Sequence, residues 1–159
     1  MDSERIYQFL ENKFPGYQDL KEIITVDNGE PMVPLSQTSL QHRVFDERML
    51  QYTGHETYVR SDVAKRLEWA QDYIDHIMPD HKLEVIYGYR HPDIQKYAFE
   101  QTKREILERQ PDGWDADTLR EEANHYIAVP ENAGHPTGGA VDVCIKTADG
   151  TELDMGTGL

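Results

Sequence analysis

The sequence has 159 residues, 38% of them hydrophobic and 29% charged, which suits one domain with its own core and excludes the disordered and collagenous classes. Its 30 acidic and 16 basic residues give a formal charge of -14, which repels phosphate backbones and anionic lipid surfaces, so neither nucleic acid nor a membrane is an expected partner. The single cysteine, Cys144, leaves no internal disulfide, and Met1-Asp2-Ser3-Glu4-Arg5 lacks the basic and apolar regions of a secretion signal, so a cytoplasmic location is expected.

Ser3 can cap a short helix that turns Ile6, Phe9, Leu10 and Phe14 inward, with Pro15-Gly16 as its stop. An apolar segment, 23–26, and an Asp27-Asn28-Gly29 turn follow, and residues up to about Tyr58 read mostly as loop. From Ser61, which can serve as N-cap, Val63, Leu67, Ala70, Ile74 and Ile77 recur at three- and four-residue steps and predict a helix ending before Pro79. Residues 82–87 read as a strand, and Pro92 opens a second helix carrying Ile94, Tyr97 and Ala98 until Gln110-Pro111-Asp112-Gly113 breaks it. A third helix runs through Leu119, Ala123 and Ile127. After a glycine-rich loop, 140–146 is predicted as a strand, Asp149-Gly150 as a turn and 152–154 as a returning strand. The expected fold is α+β, a single domain over 1–159 with helices on a small, mostly antiparallel sheet.

Chemistry concentrates in Gly134-His135-Pro136-Thr137-Gly138-Gly139-Ala140-Val141-Asp142, where an imidazole and a carboxylate, both good zinc ligands, stand seven residues apart across a turn into a strand. Strand alternation sends Val141, Val143 and Ile145 to one face and Ala140, Asp142 and Cys144 to the other, so Asp142 faces away from the apolar stripe. Gly138 and Gly139 permit a tight turn that brings His135 toward Asp142. Spacing alone is equally compatible with His135 as a loop residue and Asp142 as an ordinary solvent-facing strand residue. Cys144 reads as a small buried residue.

The segment resembles the Ser-x-His-x-x-Gly-x-Ala-x-Asp signature of the D-alanyl-D-alanine dipeptidases and their carboxypeptidase relatives, which are zinc peptidases. It matches at His135, Gly138, Ala140 and Asp142, with Ala133 in place of the serine. The resemblance extends in the family's order through Asn28-Gly29-Glu30-Pro31, Tyr58-Val59-Arg60, Tyr87-Gly88-Tyr89-Arg90, Tyr126-Ile127-Ala128 and Glu152-Leu153-Asp154-Met155-Gly156-Thr157. It implies a zinc D,D-peptidase-like fold, Zn2+ as cofactor with His135 and Asp142 as ligands, and Arg90 as the group that stabilises the oxyanion formed when water attacks the scissile carbonyl. It further implies Asp154 as a contact for the substrate's ammonium and D-Ala-D-Ala, or a related small dipeptide, as substrate.

Relatives continue past the Asp-Met-Gly segment and there carry a Glu-x-x-His motif that supplies the third ligand and the catalytic base, so the resemblance implies that the 159-residue chain lacks these groups and is inactive by itself. Glu122-Ala123-Asn124-His125 has the same spacing but precedes the His135 segment, the wrong order, and reads as an ordinary helix pair. Two other expectations stand beside the dipeptidase: a peptidoglycan D,D-carboxypeptidase, and a catalytically dead peptide-binding or regulatory protein on the same fold.

Overall fold

A computed structural model describes residues 26–110 and 113–156. The helix expected on Ile6, Phe9, Leu10 and Phe14, with most of the segment 23–26, lies outside the described residues. The described chain forms two compact units, one over Lys96–Ala133 and one over Asp27–Gln95 with the segment from Gly134 onward.

The second unit holds the strands β1 (Met32–Pro34), β2 (Gln41–His42), β3 (Tyr58–Arg60), β4 (Lys82–Tyr87) and β5 (Asp142–Lys146) and the helices α1 (Leu50–Thr53) and α2 (Ser61–Ile77). The strands β1 and β3 pair antiparallel, with Val33 opposite Val59. A second sheet has the order β2-β4-β5, with β2 parallel and β5 antiparallel to β4. The architecture is therefore α+β with mostly antiparallel pairing, as expected.

Helix α2 and strand β4 have the predicted bounds because each shows an unambiguous period, but the buried face of α2 differs from the expected one. Ala64, Leu67, Gln71 and Ile74 are buried, whereas Ala70 and Ile77 are exposed. Gln71 takes an inward position because its polar atoms serve the backbone: Oε1 accepts from Leu83 N at 2.7 Å and Nε2 donates to His81 O at 3.3 Å. It thus satisfies the start of β4, where a buried unpaired N–H would be costly. Leu67 and Ile74 pack with Leu83, Val85, Val59, Leu35 and Leu40 in the main core. Burial of such aliphatic side chains stabilises by about 1.5–3 kcal/mol each.

Ser61 is not the N-cap of α2. Arg60 occupies that position without a side-chain cap bond, and the cap comes from 31 residues upstream: Glu30 Oε1 accepts from Asp62 N and, at 3.0 Å, from Ser61 Oγ. A carboxylate at a helix N-terminus also complements the helix dipole. The returning strand expected at 152–154 is reduced to one antiparallel bridge between Lys146 and Glu152 and a Leu153 N–Ile145 O bond of 2.8 Å.

The first unit contains most of α3 (Pro92–Arg109), whose opening turn belongs to the other unit, and α4 (Ala116–Asn124). Asp115 caps α4, its carboxylate accepting from Asp117 N and Thr118 N. Phe99, Ile106, Ala123 and Val129 form its core, with Trp114, Leu119 and Ile127 packed against it. Ile127 lies beyond the end of α4 rather than within the helix, but its N–H still reaches Ala123 O at 3.0 Å. Among the described residues no helix is long and apolar enough to cross a membrane.

Candidate active site

Strands β4 and β5 build the site. Leu83 pairs with Ile145 and Val85 with Val143 on the core side, and Glu84 pairs with Cys144 on the other. Strict alternation would return Tyr87 to the core side. The register instead shifts between Val85 and Tyr87, so that Tyr87 stands opposite Asp142. A bulge of this kind re-aims a side chain, and here it places a buried aromatic ring on the face that carries Asp142.

His135 opens a 3-10 turn, His135–Thr137, that ends at Gly138 in the left-handed region, φ 73°. Its Nδ1 lies 2.9 Å from Gly88 O. A carbonyl oxygen only accepts, so Nδ1 carries the proton and Nε2 is the nitrogen left to bind elsewhere. That nitrogen is 3.5 Å from Asp142 Oδ2. The chain approaches Gly88 so closely that a Cβ there would collide with Tyr58 O, which accounts for glycine at this position.

The pair suits a metal. Zinc bonds of about 2.1 Å at a tetrahedral angle set two ligand atoms about 3.4 Å apart, close to the observed separation, and a His ligand anchored through its other nitrogen to a carbonyl is the usual supporting arrangement. In the metal-free chain, an imidazole that carries a proton on both nitrogens holds the Asp142 carboxyl below its ordinary range, through its Nε2–H hydrogen bond and then its charge, with help from Arg90 and against the opposing effect of burial; a metal at Nε2 would take the place of that proton.

Arg90 joins the same group. Its backbone N donates to His135 O at 3.1 Å, its Nη1 donates to Gln95 Oε1 at 2.8 Å, and its guanidinium lies over the Tyr87 ring at 4.2 Å. Gln95 is 1% exposed and reaches back from the first turn of α3, which Pro92 starts. Tyr87 also meets the His135 ring edge-on at 5.6 Å and donates its hydroxyl to Asp46 at 3.1 Å. Tyr87 and Gln95 escape sequence reasoning because a bulge and a helix entry decide their directions. Tyr89, by contrast, packs with Met49, Tyr87 and Ile94.

Asp154 is exposed and its Oδ1 accepts from Gly156 N at 2.8 Å; among the described residues it makes no hydrogen bond or ion pair with His135, Asp142 or Arg90. Half-buried Glu122 and exposed His125 form a pair at 3.5 Å in the other unit.

Glu84, Cys144 and Glu152 also converge, with ligand-type atoms within 4.8 Å of one another. Two protein cations already balance them: Lys146 lies 2.9 Å from Glu84, and Arg43 lies 2.9 Å from Glu152 and 3.6 Å from Glu84. Burial, the Glu152 charge and the Glu84 hydrogen bond push the Cys144 thiol up, so it stays protonated, and a protonated thiol is a poor ligand. This group reads as an ion network tying 152 to the sheet.

A D-alanyl-D-alanine dipeptidase of Synechocystis sp. is 31% identical to the chain in an alignment 147 positions long that covers 82% of the chain and 59% of that protein. The chain is similar to the D-alanyl-D-alanine dipeptidases over most of its length. It spans about three fifths of the length of that relative. No protein-family model matches it. Similar solved structures include VanYB in complex with D-alanine-D-alanine, with TM-score 0.46, 20% identity, 79% of this chain and 60% of that one. They also include the LdcB LD-carboxypeptidase, with TM-score 0.44, 21% identity, 78% of this chain and 47% of that one. Within the dipeptidase family's pattern, Ala133 replaces the signature serine and is buried, 5% exposed.

One consequence of the site is readable in alkali. Burial, opposed by Arg90, pushes the Tyr87 hydroxyl up to about 12, above the ordinary value of about 10 in an unfolded chain. Its contribution to stability is complete below pH 10 and is lost as pH rises from about 10 to 12, because the unfolded chain ionises first. An ultraviolet titration of the nine tyrosines therefore shows a component near 12, and Tyr87→Phe removes it; titration of every tyrosine near 10 contradicts this.

Proposed function

We propose that the chain carries two zinc ligands, His135 and Asp142, and the electrostatic catalyst, Arg90, of a zinc metallopeptidase that hydrolyses D-Ala-D-Ala or a related dipeptide. The observation that carries this reading is the His135 Nε2–Asp142 Oδ2 separation of 3.5 Å with Nδ1 committed to Gly88 O. Bound zinc supplies Lewis-acid polarisation of a carbonyl and activation of water near neutral pH. The chain's own residues do the rest. His135 is presented as a neutral donor at Nε2, Asp142 is kept ionised, and Arg90 offers a permanent positive charge to the negative charge that develops on the scissile carbonyl oxygen. Asp154 is assigned to the substrate's ammonium group, and a free dipeptide as substrate fits a cytoplasmic location.

Catalytic zinc takes three protein ligands. The proposal assigns the third ligand and the general base to a Glu-x-x-His segment of the kind that follows Asp-Met-Gly in the family's pattern, which the 159 residues do not carry at that place. A second reading, a peptide-binding protein without catalysis, draws its support from the two-ligand pair among the described residues.

The test is zinc-dependent release of D-alanine from D-Ala-D-Ala by the chain alone and by the chain joined to the Glu-x-x-His segment of a relative. Release by the joined form, abolished by chelation, is expected. Zinc binding with no release by either form favours the binding protein, and absence of zinc binding overturns the metal assignment.

A further inference from the structure

Three segments of the family pattern lie far apart in sequence: Asn28-Gly29-Glu30-Pro31, Tyr58-Val59-Arg60 and the turn from His135 to Gly138. In the structure they meet at one side chain. Arg60 is largely buried, 19% exposed. Its Nε donates to Thr137 O at 2.7 Å, its Nη1 donates to Glu30 O, and its Nη2 is 3.2 Å from Asp27 Oδ1. The backbone N of Arg60 donates to Gly138 O at 3.0 Å.

We propose that Arg60 is a positioning residue for the His135–Asp142 site: it fixes the turn that carries His135 and so sets metal affinity without touching the metal. The proposal rests on the zinc reading given above.

The turn's internal bonds, Thr137 N to Gly134 O, Gly138 N to His135 O and Gly139 N to Thr137 Oγ1, fix its shape but not its place. Its place comes from outside. Arg60 holds the carbonyls of Thr137 and Gly138, and Arg90 N holds the carbonyl of His135 on the other flank. Gly138 lies against Met32, whose sulfur a Cβ at that position would strike. With both flanks held, the imidazole enters from a fixed direction and its Nδ1 meets Gly88 O. Release of the Arg60 side lets the turn slide along β3 and breaks the Nδ1–Gly88 bond that presents Nε2 to Asp142.

Only a guanidinium does this. Its planar fork directs separate N–H groups at three acceptors in two segments, Thr137 O in one and Glu30 O and Asp27 Oδ1 in the other, whereas a lysine ammonium is a compact point charge on a flexible stem. The same fork ties the 27–30 turn, whose Glu30 carboxylate caps α2, to the turn that bears His135. That convergence gives a physical reason for these three segments to occur together.

The experiment compares Arg60→Lys and Arg60→Ala with the unaltered chain and with Arg66→Ala, which removes an exposed ion pair with Asp62 on the same helix. Zinc affinity is measured by competition with a chromophoric chelator, thermal unfolding checks that each variant folds, and nitrogen NMR of the metal-free chain reads the His135 tautomer. Zinc affinity is expected to fall on the order of 10- to 100-fold in both Arg60 variants, the range for loss of a group that supports a ligand. Arg66→Ala is expected to leave it unchanged, and added methylguanidinium to restore part of it in Arg60→Ala. In metal-free Arg60→Lys the His135 signal loses its Nδ1–H bias.

A folded Arg60→Lys chain with unaltered zinc affinity and an unaltered His135 signal overturns the proposal. If the unaltered chain binds no zinc, the zinc reading fails, and the tautomer measurement still decides the role of Arg60: a shifted His135 signal supports it and an unchanged one overturns it.

Discussion

Arg90→Ala in the form of the chain that carries the Glu-x-x-His segment is expected to lower kcat for D-Ala-D-Ala by about 10²- to 10³-fold, the loss typical when one preorganised oxyanion donor is removed. KM should change far less, because the charge that Arg90 meets develops only as the carbonyl is attacked. Gln95 Oε1 takes Nη1 at 2.8 Å and the Tyr87 ring lies beneath the guanidinium at 4.2 Å, so in the proposed role little reorganisation is needed when the charge appears. Arg90→Lys should recover only part of the activity, since the ammonium cannot keep the Gln95 contact and the ring face together. Steady-state kinetics on the two variants measure this. A rise in KM with unchanged kcat would instead make Arg90 a binding residue for the substrate's ground state.

The second large effect falls on the metal. His135→Ala and Asp142→Ala should each weaken zinc binding on the order of 10²-fold or more, because each removes one of the proposed ligands, whereas loss of a supporting group alone costs about 10- to 100-fold. Glu84→Gln should leave zinc affinity unchanged while lowering stability, because the ion network that it anchors with Lys146 and Arg43 loses its buried charge partner. Chelator competition on the three variants separates the two groups.

The sequence reveals what local periodicity dictates. Helix Ser61–Ile77 and strand Lys82–Tyr87 follow from three- and four-residue apolar steps and from a short β-branched run before a glycine. The predicted alternation in 140–146 sends Val143 and Ile145 to the core and leaves Asp142 on the opposite face. What periodicity misses is set by contacts over long separations. Glu30 rather than Ser61 caps the helix, because a carboxylate from an upstream turn can reach the free N–H groups as well as a local hydroxyl can. Gln71 occupies a core position that hydropathy would deny it, because it satisfies Leu83 N.

The site itself divides along the same line. His135 and Asp142 become legible as a pair once the resemblance is added to their chemistry and spacing, which alone leave the pair undecided, and Arg90 from its place in the same ordered pattern. Tyr87 depends on a register shift at Ile86, and Arg60 on three segments folding to one point, and neither is encoded in a window of neighbouring residues. The short 152–154 pairing has a similar cause. The Arg43–Glu152 ion pair and a single backbone bond from Leu153 hold that segment in place of a full ladder.

The most direct test of the central claim is a crystal structure of the chain grown with zinc and phased at the zinc absorption edge. The account predicts an anomalous peak between His135 Nε2 and Asp142 Oδ2, with Nδ1 of His135 still on Gly88 O. A peak instead among Glu84, Cys144 and Glu152, with His135 and Asp142 left paired to each other, would contradict it.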